Sequence, residues 1–195
     1  SAARALARGP PVIDAVIKIG GALLRDPDAL TTTIAAIDDA ARRHTLLIVP
    51  GGGPFTDAVR GVDRAHTLSA TDAHWMAILG MEQFAVMLAS RFARAALVHR
   101  RGEIARAHSR DTLPVLAPYR WLREVDPLPH SWDVTSDSIA AWVAAQVGAR
   151  RLIIVKAHAA GANAIVDSYF DRVRPPSLDC AFLTPTLLTG NWFPA

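Results

Sequence analysis

Two lysines stand out in this chain of 195 residues, Lys18 and Lys156, because the other 19 basic residues are arginines. Each lies at the C-terminal end of an apolar run, 16–19 and 152–155. Lysine is a compact point charge and arginine a planar fork, so the two are not interchangeable at a binding site. Gly20 and Gly21 follow Lys18, and a helical pattern follows them. A buried strand emptying into Gly-Gly brings backbone N–H groups and a cation to one spot, which suits an anion and above all a phosphate. Chance within an arginine-rich composition is the competing explanation for where the lysines fall.

Gly51, Gly52 and Gly53 form a second loop, between Pro50 and Pro54. Three successive glycines let a ligand approach the backbone without meeting a Cβ, at the start of a helix whose amides favour anions. Neither loop fits the Walker pattern, which needs a lysine inside the loop and then Ser or Thr, and the dinucleotide fingerprint is absent. Asp133 and Asp137 lie in the stretch 130–138, just before and within the first turn of a helix over 139–147. Asp137 reads either as an acid favoured by the helix dipole or as the partner of a lysine or a metal.

The elements that must position these residues follow from periodicity. Runs 16–19, 45–49 and 152–155 are short and continuously apolar, as strands buried on both faces are. Asp26-Pro27 reads as an N-cap with proline at the first helical position, and Leu30, Ile34, Ile37 and Ala41 then share one helix face. Strand–helix–strand with a right-handed crossover makes the first two strands parallel. Their C-terminal ends share one edge of the sheet, so both glycine loops open there. Ser69-x-x-Asp72 resembles a capping box opening a helix over 69–94 that is apolar over more than one face. Such a helix is either deeply buried or used to form a homo-oligomer. His74 on its first turn packs locally or touches a substrate.

Further along, 95–98 and 113–117 read as strands and 119–125 as a helix, in a region cut by prolines. Arg100, Arg101, Arg106 and Arg110 either lie in solvent or meet a phosphorylated substrate. Gly148 is the expected C′ residue of the 139–147 helix. Residues 164–167 read as a short strand, 168–170 as the beginning of a loop or helix, and the tail beyond 175 is too irregular to place. The sequence thus predicts an N-terminal tail over 1–11 and one α/β domain over 12–195.

Composition removes several classes of function. With 51% hydrophobic and 20% charged residues the chain is globular rather than disordered. The single Cys180 allows neither an intramolecular disulfide nor a cysteine metal cluster. No apolar stretch is long enough to span a membrane, and residues 1–8 lack a signal-peptide core, so a cytoplasmic protein is expected. A net charge of +3 with scattered arginines fits an anionic small molecule as well as a nucleic acid, and no nucleic-acid partner is expected.

The ordered blocks resemble the amino acid kinase family. The resemblance rests on Lys18-x-Gly20-Gly21, the Gly51–Gly53 loop, Thr135-Ser136-Asp137 at a helix start, and the strand that follows. Within the family, His74-Trp75-Met76-Ala77 and the stretch 128–137 are similar to the small kinases of methanofuran biosynthesis, which act on an (aminomethyl)furanmethanol phosphate. The resemblance implies a three-layer αβα sandwich with a largely parallel sheet, and an ATP- and Mg²⁺-dependent kinase acting on a phosphate or carboxylate. It gives Lys18, with the amides of Gly20 and Gly21, the transferring phosphoryl group, and Lys156 the nucleotide phosphates. Gly51, Gly52, Gly53 and Asp133 would hold the acceptor, and Asp137 would orient a lysine or a Mg²⁺-bound phosphate, with no residue expected as a dedicated metal ligand. The family's Asp-x-x-Gly after the third strand is missing from Lys156 to Gly161, which predicts a reduced C-terminal nucleotide lobe. The alternative is a non-catalytic member that binds nucleotide or phosphate as a regulator or assembly subunit.

Overall fold

The computed structural model describes residues 12–158, 166–189 and 192–193. The first strand, β1 (Ala15–Ile19), is followed by a 3-10 turn (Gly21–Arg25) and α1 (Pro27–Ala40), then β2 (Leu46–Pro50), α2 (Gly53–His66) and α3 (Ala70–Arg91). Next come β3 (Ala95–Val98), α4 (Arg101–Ser109), β4 (Leu113–Leu116), α5 (Tyr119–Val125) and α6 (Ser136–Val147). The last described elements are β5 (Arg151–Val155), α7 (Phe170–Val173), β6 (Asp179–Leu183) and a 3-10 turn (Pro185–Leu187). The strands form one six-stranded sheet in the order β3-β4-β2-β1-β5-β6, with every pair parallel. Helices cover both faces, as the sandwich reading expected.

Strand alternation divides the core into two layers. Val16, Leu47, Val49, Leu152 and Ile154 face one layer, shared with α6. Ile17, Ile19, Leu46, Ile48, Ile153 and Val155 face the other, shared with α1. Lys18 stands two residues after Val16, so its side chain emerges on the α6 side. Register places Lys18 opposite Ile154, two residues before Lys156, which puts both lysines on that side of adjacent strands.

Several local signals act as expected. Asp26 caps α1 through the Ala29 amide at 3.0 Å, and Ser69 caps α3 through the Asp72 amide at 3.0 Å. Gly148 ends α6 at φ 63°. The all-round apolarity of α3 has an internal cause: Trp75, Ile78 and Met81 pack in the α6 layer, whereas Phe84, Ala85 and Leu88 pack in the α1 layer. Leu79 and Val86 remain 41% and 58% exposed on its outer side.

Other readings change. The helical pattern after Gly21 is a five-residue 3-10 turn, ended by Asp26, which begins α1. Neither α4 nor β6 was expected. Of 164–167, residues 164 and 165 lie outside the described residues, and neither Val166 nor Asp167 is in a strand. Arg100 of the arginine group pairs with Glu124. No helix among the described residues is long and apolar enough to cross a membrane.

Candidate active site

Parallel strands place β1, β2 and β5 so that their C-terminal ends share one edge, and the two glycine loops meet there. A Cβ added to Gly21 would overlap the backbone nitrogen of Gly53, and one added to Gly51 would overlap that of Gly21. Gly53 also has φ +55°, a conformation that L side chains rarely adopt. These glycines are needed for backbone to pack on backbone, and not only to admit a ligand.

That packing changes what the loop amides can do. The Gly20 N–H donates to Val155 O at 2.8 Å and the Gly51 N–H to Ile19 O at 2.8 Å. Both continue the parallel ladder one residue beyond the strands, so neither amide is available to a phosphate, contrary to the role expected of the Gly20 amide. The amides of Gly21, Gly52 and Gly53 have no acceptor among the described residues, as helix starts leave their first N–H groups.

Lys18 Nζ lies 2.7 Å from Asp137 Oδ1, and Lys156 Nζ lies 3.1 Å from Asp137 Oδ2. The Lys18 contact is a close ion pair off the hydrogen-bonding direction, whereas Lys156 donates a hydrogen bond. The three residues come from β1, the first turn of α6 and the end of β5. Side-chain exposure is 7% at Lys18 and Asp137 and 23% at Lys156, so the second ammonium stands nearer the solvent. Burial alone would raise the Asp137 carboxyl; the ammoniums of Lys18 and Lys156 outweigh it and hold the pKa below the ordinary value.

A cleft of about 370 Å³ opens beside this cluster. Gly52 and Gly53 line one end of it, and Thr135 and Ser136, next to Asp137, line the wall contributed by the loop before α6. Its apolar surface includes Ala73, Ala77, Ile78, Met81, Val134 and Ile139. Polar groups come from one face of α2, where Thr56, Arg60 and Asp63 recur at helical spacing. Thr56 Oγ1 donates to Ala77 O at 3.1 Å, which ties α2 to α3. Asp63 accepts the Trp132 Nε1–H at 2.7 Å and the Leu68 N–H at 3.0 Å, and the Arg60 guanidinium lies 4.1 Å from the Trp132 ring centroid. The loop before α6 is thereby pinned across the cleft to α2.

His74 lines the cleft and stacks on His130 with ring centroids 4.4 Å apart. It packs locally, as one reading expected, and it also faces the cavity. His130 bonds Thr71 Oγ1 and Asp126 Oδ1, each at 2.9 Å. The structure does not bring Asp133 into the cleft: it is exposed and accepts the Ser131 hydroxyl at 3.0 Å within its own turn. Arg100, Arg101, Arg106 and Arg110 do not line the cleft either. Arg60 and Asp63 went unnoticed in the sequence, although the polar face of α2 was a readable signal, and Trp132 was given no role of its own within the stretch 128–137.

The model of the amino acid kinase family matches residues 15–159. A curated relative, the (5-(aminomethyl)furan-3-yl)methyl phosphate kinase of Methanocaldococcus jannaschii, is 28% identical over 144 residues, covering 71% of this chain. The chain spans 63% of that relative's length. Among solved structures, uridylate kinase from Archaeoglobus fulgidus superposes with a TM-score of 0.59 at 18% identity, over 80% of this chain and 69% of the other. UMP kinase from Ureaplasma parvum gives 0.59 at 14% identity, over 80% and 74%. These two likenesses concern the fold. With the family model covering most of the chain from β1 to beyond β5, the protein belongs to the amino acid kinase family.

Proposed function

We propose that the protein is an ATP-dependent kinase that transfers a phosphoryl group to a small phosphorylated acceptor held in the cleft, with a furanmethyl phosphate as the acceptor. The observation that carries the reading is the pair of lysines sharing Asp137 at the edge where the glycine loops meet the cleft. The furan acceptor rests on the Methanocaldococcus relative and on a cleft with a largely apolar lining, at the small end of the range of about 300–1,000 Å³ for small-molecule sites.

Phosphoryl transfer requires little covalent work of a protein and depends on positioning and on neutralising charge that spreads over the transferring oxygens. Lys18 supplies a fixed ammonium there, with the amides of Gly21, Gly52 and Gly53 nearby as further donors. Lys156 supplies a second ammonium from the solvent side. Asp137 does not reach the substrate itself; it holds both ammoniums in place. Arg60 faces the acceptor end, about 10 Å along α2 from Gly53 at 1.5 Å per residue. Mg²⁺ would add charge neutralisation when bound. Mg²⁺ of this kind is held mainly by substrate phosphate oxygens and water.

The test is a coupled ATPase and product assay with furanmethyl phosphates, UMP and other phosphomonoesters, with and without Mg²⁺. Turnover on one acceptor is expected, with Lys18→Ala lowering kcat by at least about 100-fold, as loss of a preorganised donor does. A folded protein that transfers phosphate to none of them would overturn the proposal, and nucleotide binding without transfer would mark it as a non-catalytic member.

A further inference from the structure

The carboxylate of Asp167 accepts five hydrogen bonds: from Thr135 N, Thr135 Oγ1, Ser138 N, Ser138 Oγ and Tyr169 N. The residue lies in the chain after β5, 30 residues beyond Asp137, yet it occupies the N-terminus of α6. Four of its donors belong to that helix start. An acid that accepts several helix-end N–H groups both satisfies them and complements the dipole.

One of these bonds reaches further. The Thr135 hydroxyl has a single proton, and it is given to Asp167 Oδ2 at 2.7 Å. Its lone pairs are thereby turned toward the Asp137 amide, which donates to Thr135 Oγ1 at 3.2 Å. The polarity of the chain Asp137 N–H to Thr135 Oγ to Asp167 is fixed at its two ends, by a backbone N–H that can only donate and a carboxylate that accepts. Asp137 is the residue that Lys18 and Lys156 share. We propose that Asp167 is a positioning residue of this active site, setting through Thr135 where the Asp137 carboxylate stands between the two lysines. The inference deepens the kinase reading and rests on it for its catalytic consequence, but the geometric claim stands by itself.

The experiment uses the scarcity of lysine. Protein labelled with ¹³Cε-lysine gives two side-chain signals, from Lys18 and Lys156, assigned with Lys18→Arg and Lys156→Arg. Asp167→Asn keeps size but leaves one acceptor oxygen where there were two, so the five donors can no longer all be accepted. It is expected to displace both lysine signals and to lower kcat by at least about tenfold while KM for the acceptor stays within about twofold, a misplacement effect. Thr135→Val should produce the same changes, Thr135→Ser should restore the wild-type values, and the Asp167→Asn/Thr135→Val double variant should be no worse than either single one. Asp39→Asn, on the exposed side of α1, leaves both signals in place. Unmoved lysine signals in a folded Asp167→Asn protein, or wild-type kcat in it, overturn the inference. If the wild-type protein transfers no phosphate, the kinase reading fails and the lysine signals alone decide the role of Asp167.

Discussion

At His74, burial first and the neighbouring His130 second lower the pKa to about 4, against a smaller opposing effect of Asp126. The unfolded chain takes up this proton near the ordinary value of about 6.5. Between those two values the unfolded state binds more protons than the folded one, so stability falls as pH is lowered from 6.5 toward 4 and this contribution levels off below 4. Asp137 behaves differently: its depressed pKa means that the stabilisation it gives is complete above the ordinary carboxylate value and is lost only as pH falls through its lower folded value. Urea unfolding of the wild type and His74→Gln between pH 7 and pH 4 separates the two. The His74→Gln protein should lose less stability across that interval, by no more than the slope of one proton, and parallel curves would show that His74 titrates normally.

The element that most constrains the site is the pair of glycine loops. Gly21 and Gly53 touch backbone to backbone, so a methyl group at residue 21 has no space unless the start of α2 moves. Gly21→Ala should cost about 1–3 kcal/mol in unfolding free energy, as overpacking does, and should lower turnover because Gly52 and Gly53 line the cleft. Gly148→Ala is the comparison: the residue has a positive φ, which Gly21 does not, and nothing lies within 4 Å of an added Cβ. It should cost about 1–2 kcal/mol through the left-handed conformation and leave kcat unchanged. Equal kcat in both variants would remove the steric role assigned to Gly21.

Legibility varied between elements for physical reasons. Runs such as Leu46–Pro50 and Arg151–Val155 were visible because strands covered on both faces need continuous apolar residues. In α4 only Ile104 and Ala107 are buried, so its amphipathic signal is weak among arginines. The edge strand β6 is only half-buried, and its apolar run of four residues, 180–183, lies in a proline-cut tail between Asp179 and Thr184, which masked it as a strand.

Across the whole molecule, order is uneven. Every residue of β1 and β2 is buried, whereas α2 has no buried residue and forms one wall of the cleft. Local opening follows burial, so amide exchange in α2 should be faster than in β1 and β2 by at least about tenfold. A bound acceptor should slow exchange in α2 and in 131–136 while leaving α4 unchanged. Exchange in α2 as slow as in β1 would contradict this.

The sequence alone determined the strands at the core, the glycine loops at their ends, the caps of α1 and α3, and the two lysines as residues apart. Those are local matters, set by period, by conformational freedom and by side-chain chemistry within a few positions. The tertiary structure decided which groups meet. It used the Gly20 and Gly51 amides in the sheet ladder, turned Asp133 away, and built the cleft wall from Arg60, Asp63 and Trp132. It also carried Asp167 back to the start of α6. Such pairings join residues tens of positions apart, and no periodicity within one segment encodes them; they follow from strand register and from helices crossing the same edge of the sheet.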